Sequence, residues 1–528
     1  FCFRVNVAMP EFPPIGDLFT ISWWLNHLVD SYEREPGHVI LELFAFIVII
    51  WLLFRQSYDP KKQNPLSKRE QDELIAEWKP APLCPELTQE QKDFMERDVM
   101  VVDSGLGTAG HVTVAGKEYL NFASFNFLGY ADSKDVKVAC KETITKYGVG
   151  SCGPRGFYGS IDVHLKFEQD IAQFVGVDES ILYSDGLACV SSVIPAFAKR
   201  GDLIICDEGV NFGIQQGIEL SRSNVLFFKH NDVQDLERVL LDVAEKHRKT
   251  PNQTLTRRFI VTEGISEYYG DVCPLDKLVQ LKNKFKYRLV LDDSLGFGVL
   301  GATGRGTPEH HKVPINEVAM YVVTADKALA TVGGFCMGEK AVIDHQRLSG
   351  AGYCFSASSP PYVATAGSHN IAKLAKNPSS CAELRSRAKR MRKKLQKIGG
   401  VVGVSGEESA ESPVVHLRLQ RPSSDPSEDR KFWFAVQDSA RAAGVVVEVP
   451  CYIPAERNSH TPSLRVVVNV MHTDADIDSL AEVLADAISE QLEGFGRDGA
   501  RTAKRAAPKK TPKASNSKTP LRRSNRLA

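Results

Sequence analysis

Short apolar runs that end on an acidic or polar residue recur through the middle of the chain: Asp202-Leu-Ile-Ile-Cys-Asp207, Arg258-Phe-Ile-Val-Thr-Glu263, Tyr287-Arg-Leu-Val-Leu-Asp292 and Met320-Tyr-Val-Val-Thr324. Each is too short for a helix and too continuously apolar for a strand with one wet face. Helix-length segments, among them 233–249 and 275–285, separate them. This alternation predicts an α/β body, a mostly parallel sheet with helices on both faces. Ligands of such sheets collect beyond the carboxyl ends of the strands, where Asp207, Glu263, Asp292 and Thr324 fall.

The sheet-forming body is expected over 101–361 and a smaller C-terminal α+β lobe over 362–492. The smaller lobe should hold a long basic helix at 381–398, strands at 414–418 and 464–469, and a closing helix at 476–492. Residues 57–100 are polar and carry Pro60, Pro65, Pro80, Pro82 and Pro85, so they read as a linker. Formal net charge is zero, with 65 Lys+Arg against 65 Asp+Glu, yet 497–528 alone holds eleven Lys/Arg and one Asp. An acidic body thus carries a basic tail, 493–528, whose composition without apolar periodicity reads as solvated disorder; no nucleic-acid partner is expected. The eleven cysteines form no CxxC pair, which argues against a disulfide framework or a zinc site and for a reducing compartment.

Residues 1–56 carry a membrane signal. Positions 39–54 read VILELFAFIVIIWLLF, sixteen residues with Glu42 as their sole charge, ending at Trp51 and Arg55 as interface anchors. At about 1.5 Å per residue they span roughly 24 Å, short against a hydrocarbon core of ~30 Å. A buried core helix is the competing reading. An amphipathic stretch before the run and a polar linker after it favour the membrane. Arg55, Lys61, Lys62, Lys68 and Arg69 follow the run, while Arg34 is the nearby basic residue before it, so the body is expected on the cytosolic side of a single span.

Lys327 follows the run ending at Thr324 and precedes Gly333-Gly334, downstream of Asp292-Asp293. That order suits a lysine holding an aldehyde cofactor as a Schiff base, with a carboxylate paired to the cofactor's ring nitrogen. Asp326 beside it favours the ammonium over the neutral nucleophile.

The densest motif is Tyr147-Gly-Val-Gly-Ser-Cys-Gly-Pro-Arg-Gly-Phe-Tyr-Gly-Ser-Ile-Asp-Val-His164, whose glycines permit close backbone approach. With Asp207-Glu-Gly-Val-Asn-Phe-Gly-Ile-Gln215, Phe297-Gly-Val-Leu-Gly301, Gly333-Gly-Phe-Cys336, Asp344-His-Gln-Arg-Leu-Ser349 and Gly352-Tyr-Cys-Phe-Ser-Ala-Ser358, it resembles the α-oxoamine synthases, a branch of the fold-type I pyridoxal phosphate (PLP) enzymes. The resemblance is strongest to the first long-chain-base subunits of serine palmitoyltransferases and covers about 39–492. It implies a PLP-transferase fold and condensation of L-serine with palmitoyl-CoA to 3-ketosphinganine at the endoplasmic reticulum membrane. It also implies a heterodimer whose second long-chain-base subunit supplies the cofactor lysine, with room for small activating and regulatory membrane subunits.

By the same resemblance, Lys327 falls on the cofactor-lysine position, Thr324 on a phosphate-contacting hydroxyl and Asp292 on the carboxylate that keeps the pyridine nitrogen protonated. The ring-stacking imidazole of catalytic relatives falls at Asn211 and a second histidine at Leu295, neither of which can stack or move a proton in the same way. Cys152 matches a residue of the shared active site or, alternatively, a packing thiol. Arg465 matches the substrate-carboxylate arginine or a structural ion-pair partner, and Ser356 and Ser358 match a stretch that reaches the partner's phosphate or simply caps a loop. His164 and His230 are motif members with a structural reading. Three functions stay open: a subunit completing a partner's site, a self-sufficient synthase using Lys327, and a non-catalytic membrane scaffold or regulator.

Overall fold

The computed structural model describes residues 21–55, 66–80 and 100–505, apart from Glu35, Ala109 and the stretches 250–255, 403–408, 453–455 and 458–460, together with scattered positions between 83 and 97. It forms two compact units, Phe1–Met95 and Glu96–Ala528.

Among its described residues, the first unit has the helices Ile21–Arg34, Pro36–Phe54 and Lys68–Glu77. The third falls inside the proline-containing stretch and starts at a capping box. Ser67 Oγ accepts from Glu70 N–H at 3.3 Å, while Glu70 Oε2 accepts from Ser67 N–H at 2.8 Å. Pro36–Phe54 has 19 residues, about 28 Å of helix. Most of its apolar side chains are exposed, Ile40, Leu41, Phe44, Phe46 and Ile47 among them, while Val39 is buried. Among the described residues no helix is long and apolar enough to cross a membrane, so the fold does not establish the expected N-terminal span.

In the second unit, the predicted mostly parallel sheet is present and has seven strands. Their order is Glu179–Tyr183, Gly334–Gly338, Met320–Thr324, Arg288–Asp292, Arg258–Glu263, Leu203–Asp207, Asn224–Phe228. The last five are mutually parallel, and Gly334–Gly338 runs antiparallel to both of its neighbours. Leu203–Asp207 and Gly334–Gly338 are buried at every position, which is what strands covered on both faces require. The glycine pair lets this inserted strand pass close to its covering helix: a Cβ on Gly334 would lie 2.6 Å from Cys189 Cβ.

An antiparallel sheet of Val401–Val402, Val414–Leu419 and Leu464–Val467 is joined in sequence by the helices Ser379–Leu395, Pro426–Ala442 and Asp474–Arg505. The last helix continues beyond the expected end at Leu492 to Arg505, through Gly494, Gly496 and Gly499. The rest of the basic tail, 506–528, lies outside the described residues. Helix Pro361–Lys376 packs on Lys134–Tyr147 and Asp162–Val175, with Thr143 and Thr365 hydroxyls 2.9 Å apart.

Candidate active site

A cavity of about 670 Å³ opens where Arg258–Glu263, Arg288–Asp292 and Met320–Thr324 end, and His416, Glu448 and Arg465 line it too. Asp292, Asn211, Thr324, Lys327 and Arg465 all reach this one cavity, although up to 254 positions separate them in the sequence. The strand-end rule therefore locates it.

Asp292 and Glu263 end adjacent parallel strands and stand opposite each other in register. Both are buried. Asn211 lies between them as the N-cap of helix Phe212–Ser221. Its Oδ1 accepts from Ile214 N–H at 3.0 Å, and its Nδ2 donates at 2.8 Å to Glu263 Oε1 and at 2.8 Å to Asp292 Oδ2. Its backbone N–H also donates to Glu263 Oε2. Every polar group of this side chain is thus engaged, and an amide has no aromatic face to stack on a cofactor ring. Burial raises the pKa of both carboxyls; the negative charge of Asp292 adds to the shift of Glu263, while bonds from Ser294 and Asn211 hold Asp292 back. Leu295 is buried at the cavity wall and offers only aliphatic surface.

Lys327 lines the same cavity. Its Nζ pairs with Asp326 Oδ2 at 2.8 Å and sits 4.2 Å from the centre of the Phe125 ring. Thr324 Oγ1 is buried and has no hydrogen-bond partner, which fits a hydroxyl meant for an oxyanion. Asp185 points the other way: it caps helix Gly186–Phe197, accepting from Ala188 N–H at 2.8 Å. A helix N-terminus beside a strand end is the natural seat for a phosphate, and here a carboxylate already neutralises it. The chain keeps three groups suited to PLP, Asp292, Thr324 and Lys327. It has the Asn211 amide where the resemblance puts a stacking imidazole, and an anion at the N-terminus of the helix that would seat the phosphate. The cavity does not fit a productively held PLP.

Several expected residues lie elsewhere. Cys152 is exposed, with φ of 55°, and is absent from the cavity lining. Ser358 is buried and secures the glycine loop: its Oγ lies 2.5 Å from Ser151 Oγ and from Gly159 O, and 3.1 Å from Gly153 O. Ser356 Oγ lies 2.9 Å from Ser184 Oγ, and neither Ser356 nor Ser358 lines the cavity. At the loop's base Arg155 forms a two-pronged pair with Glu168 at 3.0 and 3.1 Å, both side chains under 10% exposed. The loop crosses itself so closely that a Cβ on Gly159 would lie 1.9 Å from Gly153 O. Val149, Phe157 and Tyr158 remain exposed on it.

His164 caps the following helix, accepting from Ile161 N–H at 3.1 Å while its Nε2 donates to Ser359 O at 2.8 Å. His230 is clamped between Asp207 and Asp271 at 2.8 and 2.9 Å; burial opposes its charge, but the two carboxylates prevail and push its pKa up to about 10. It is a structural cation. Asp185, His416, Glu448 and Tyr452 also line the cavity and went unseen in the sequence. For Asp185 a signal existed, a capping residue between a strand and a helix. Glu448 carried none, because its position depends on a remote pairing with Arg465.

Comparison with known proteins gives the family. A model of the class I and II aminotransferases matches residues 117–484. Long chain base biosynthesis protein 1c of Oryza sativa subsp. japonica is 42% identical over 447 residues, 84% of this chain and 89% of that protein. Serine palmitoyltransferase 1 of Dictyostelium discoideum is 38% identical over 465 residues, 87% and 95% of the two chains. The solved serine palmitoyltransferase of Sphingomonas wittichii superposes with a TM-score of 0.66 at 25% identity, covering 76% of this chain and 94% of that one. The chain belongs to the class I and II aminotransferase family and, within it, to the group of serine palmitoyltransferase 1 and long chain base biosynthesis protein 1 relatives.

Proposed function

We propose that this chain is a subunit of serine palmitoyltransferase, the PLP enzyme that condenses L-serine with palmitoyl-CoA to 3-ketosphinganine, and that a second long-chain-base subunit holds the working cofactor and its lysine. PLP supplies the electron sink for carbanion chemistry when bound. One observation carries the division of labour: Asn211 is fully engaged between Glu263 and Asp292, at the position where a cofactor would need a stacking ring. The chain's contribution is then a rigid glycine loop, set by Arg155 and Ser358, that presents Cys152, Phe157 and Tyr158 to the partner. Three exposed apolar side chains on one loop are suited to being covered by another chain.

Purifying the chain with and without its partner tests this. The isolated chain is expected to form no 3-ketosphinganine and to show no cofactor-derived visible absorbance. In the complex, Lys327→Ala should leave both in place. Product from the isolated chain, abolished by Lys327→Ala, would overturn the proposal in favour of a self-sufficient synthase.

The same reading places the body on the cytosolic face of the endoplasmic reticulum membrane, anchored by 36–54. The exposed apolar surface of that helix and the basic residues after it support this. Replacing Ile47 and Ile50 by arginine should move the chain from the membrane pellet to the alkaline-carbonate supernatant. Retention in the pellet would refute anchoring by this helix.

A further inference from the structure

A second cavity, of about 830 Å³, lies at the opposite end of the same parallel strands, where Arg258–Glu263, Arg288–Asp292 and Met320–Thr324 begin. Strands of this length place the two cavities roughly 17 Å apart. Tyr287, immediately before the strand Arg288–Asp292, lines this second cavity and is only 6% exposed. Its hydroxyl is buried and has no hydrogen-bond partner among the described residues. Burial raises its pKa and the neighbouring Arg258 opposes this only in part, so the phenol is a neutral donor. A buried hydroxyl left unpaired destabilises a fold unless something enters to meet it.

Most of the charges around it are committed. Lys282 pairs with Glu317 at 2.8 Å. Arg257 and His345 close the C-terminal end of helix Gly186–Phe197, donating to Phe197 O at 2.7 Å and to Ala196 O at 3.0 Å. Asp178 Oδ2 accepts from Lys340 N–H at 3.4 Å, at the start of helix Lys340–Ser349. Arg288 and Glu339 line the cavity, are exposed, and have no ion pair among the described residues. They cannot serve each other: the strand register sets Glu339 two strands away from Arg288, about 10 Å along the sheet edge. What remains beside the Tyr287 hydroxyl is one unpaired planar cation, and Phe197, Ile315, Val318 and Val342 add an apolar wall.

We propose that this second cavity binds an organic anion, a carboxylate or phosphate carried on an apolar body, with the anionic head on Arg288 and the Tyr287 hydroxyl. Successive residues of a strand point to opposite sides, so a head group held by both sits across the strand start. A guanidinium fork matches either head in two parallel hydrogen bonds, and the phenol donates a third. The apolar wall selects against a bare inorganic ion, and the unpaired guanidinium selects against an amine of the same shape. The site is separate from the strand-end cavity and shares none of its lining.

The test uses the full chain and four small probes: benzoate and phenyl phosphate as the two kinds of organic anion, benzylamine as the cation of like shape, and inorganic phosphate as the head alone. Saturation-transfer NMR should give a signal for benzoate or phenyl phosphate, and the stronger of the two identifies the head. Benzylamine should give none, and phosphorus NMR should show no broadening of inorganic phosphate at the same concentration. Arg288→Met and Tyr287→Phe should each weaken the bound anion about tenfold, as loss of a charge-assisted hydrogen bond implies. Urea midpoints separate binding from folding. Without a probe, Tyr287→Phe should keep or raise the midpoint, because the hydroxyl it removes holds nothing. No signal for either organic anion, a signal unchanged by both substitutions, or equal binding of benzylamine or inorganic phosphate would overturn the proposal. So would a lowered midpoint for Tyr287→Phe, which would give the hydroxyl a structural role instead.

Discussion

Arg155→Met is expected to destabilise the chain by about 3–5 kcal/mol, the usual result of leaving one member of a buried ion pair without its counter-charge. The pair is two-pronged, and the side chains of Arg155 and Glu168 are 3% and 7% exposed. Glu168 is needed further along as well, since its Oε1 accepts from Leu182 N–H at 2.8 Å in the outermost strand of the large sheet. Arg155 Nε meanwhile donates to Ser160 Oγ at 3.0 Å, closing the glycine loop on itself. Removing the guanidinium therefore strands a carboxylate and releases the loop that carries Cys152. Urea titration of the full chain should show a markedly lower midpoint for Arg155→Met. The double substitution Arg155→Met with Glu168→Leu should recover part of the loss, because neither charge then remains buried, while Leu182 N–H is left without its acceptor. A single substitution that leaves the midpoint unchanged would show that the pair holds nothing. Arg155→Lys should fall between, since an ammonium keeps the charge but cannot form the fork.

The parallel sheet was legible because its strands are apolar from end to end, and three of the polar residues that stop them, Glu263, Asp292 and Thr324, line the cavity, while Asp207 holds His230 instead. Asp207, Glu263, Asp292 and Thr324 could be placed on one edge from local pattern alone. Gly334–Gly338 was not recognisable as a strand, because its residues Gly-Phe-Cys-Met-Gly owe their extended form to two neighbours rather than to propensity. Glu448 is the same case at the level of a site: its relation to Arg465 exists only after two remote segments have paired.

Cys152, Ser356 and Ser358 show a different limit. The family resemblance ties them to an active site, and in this chain none of them lines the cavity. Ser358 spends its hydroxyl on the loop backbone, which a capping reading of serine anticipates. For Cys152 the exposed thiol on a fixed loop is the relevant finding, because residues that serve another chain's site need not touch their own.

Asn211→Ala should be costly for three reasons that act on one side chain. It removes an N-cap worth about 1 kcal/mol, and it takes a donor from each of two buried carboxyls, at roughly 1.5–3 kcal/mol per charged hydrogen bond. Partial protonation of the pair will offset some of this, which gives the prediction its pH dependence. Burial already raises the folded-state pKa of Glu263 and Asp292 above their unfolded values. Groups shifted in that direction favour the folded state fully only when both states are protonated, and their contribution falls as pH rises from the unfolded pKa through the folded one. The amide bonds from Asn211 oppose the shift in both residues. Without them the folded pKa values rise further, and the loss extends to higher pH. The destabilisation by Asn211→Ala should therefore be larger at about pH 8 than at about pH 5.5, as read from unfolding midpoints of the full chain. Asn211→Asp keeps the cap but adds a third carboxylate, so it should be the worse variant at the higher pH. Equal penalties at the two pH values would mean that the amide acts only as a cap, and that the fixed distance between the two strand-end carboxyls is set elsewhere.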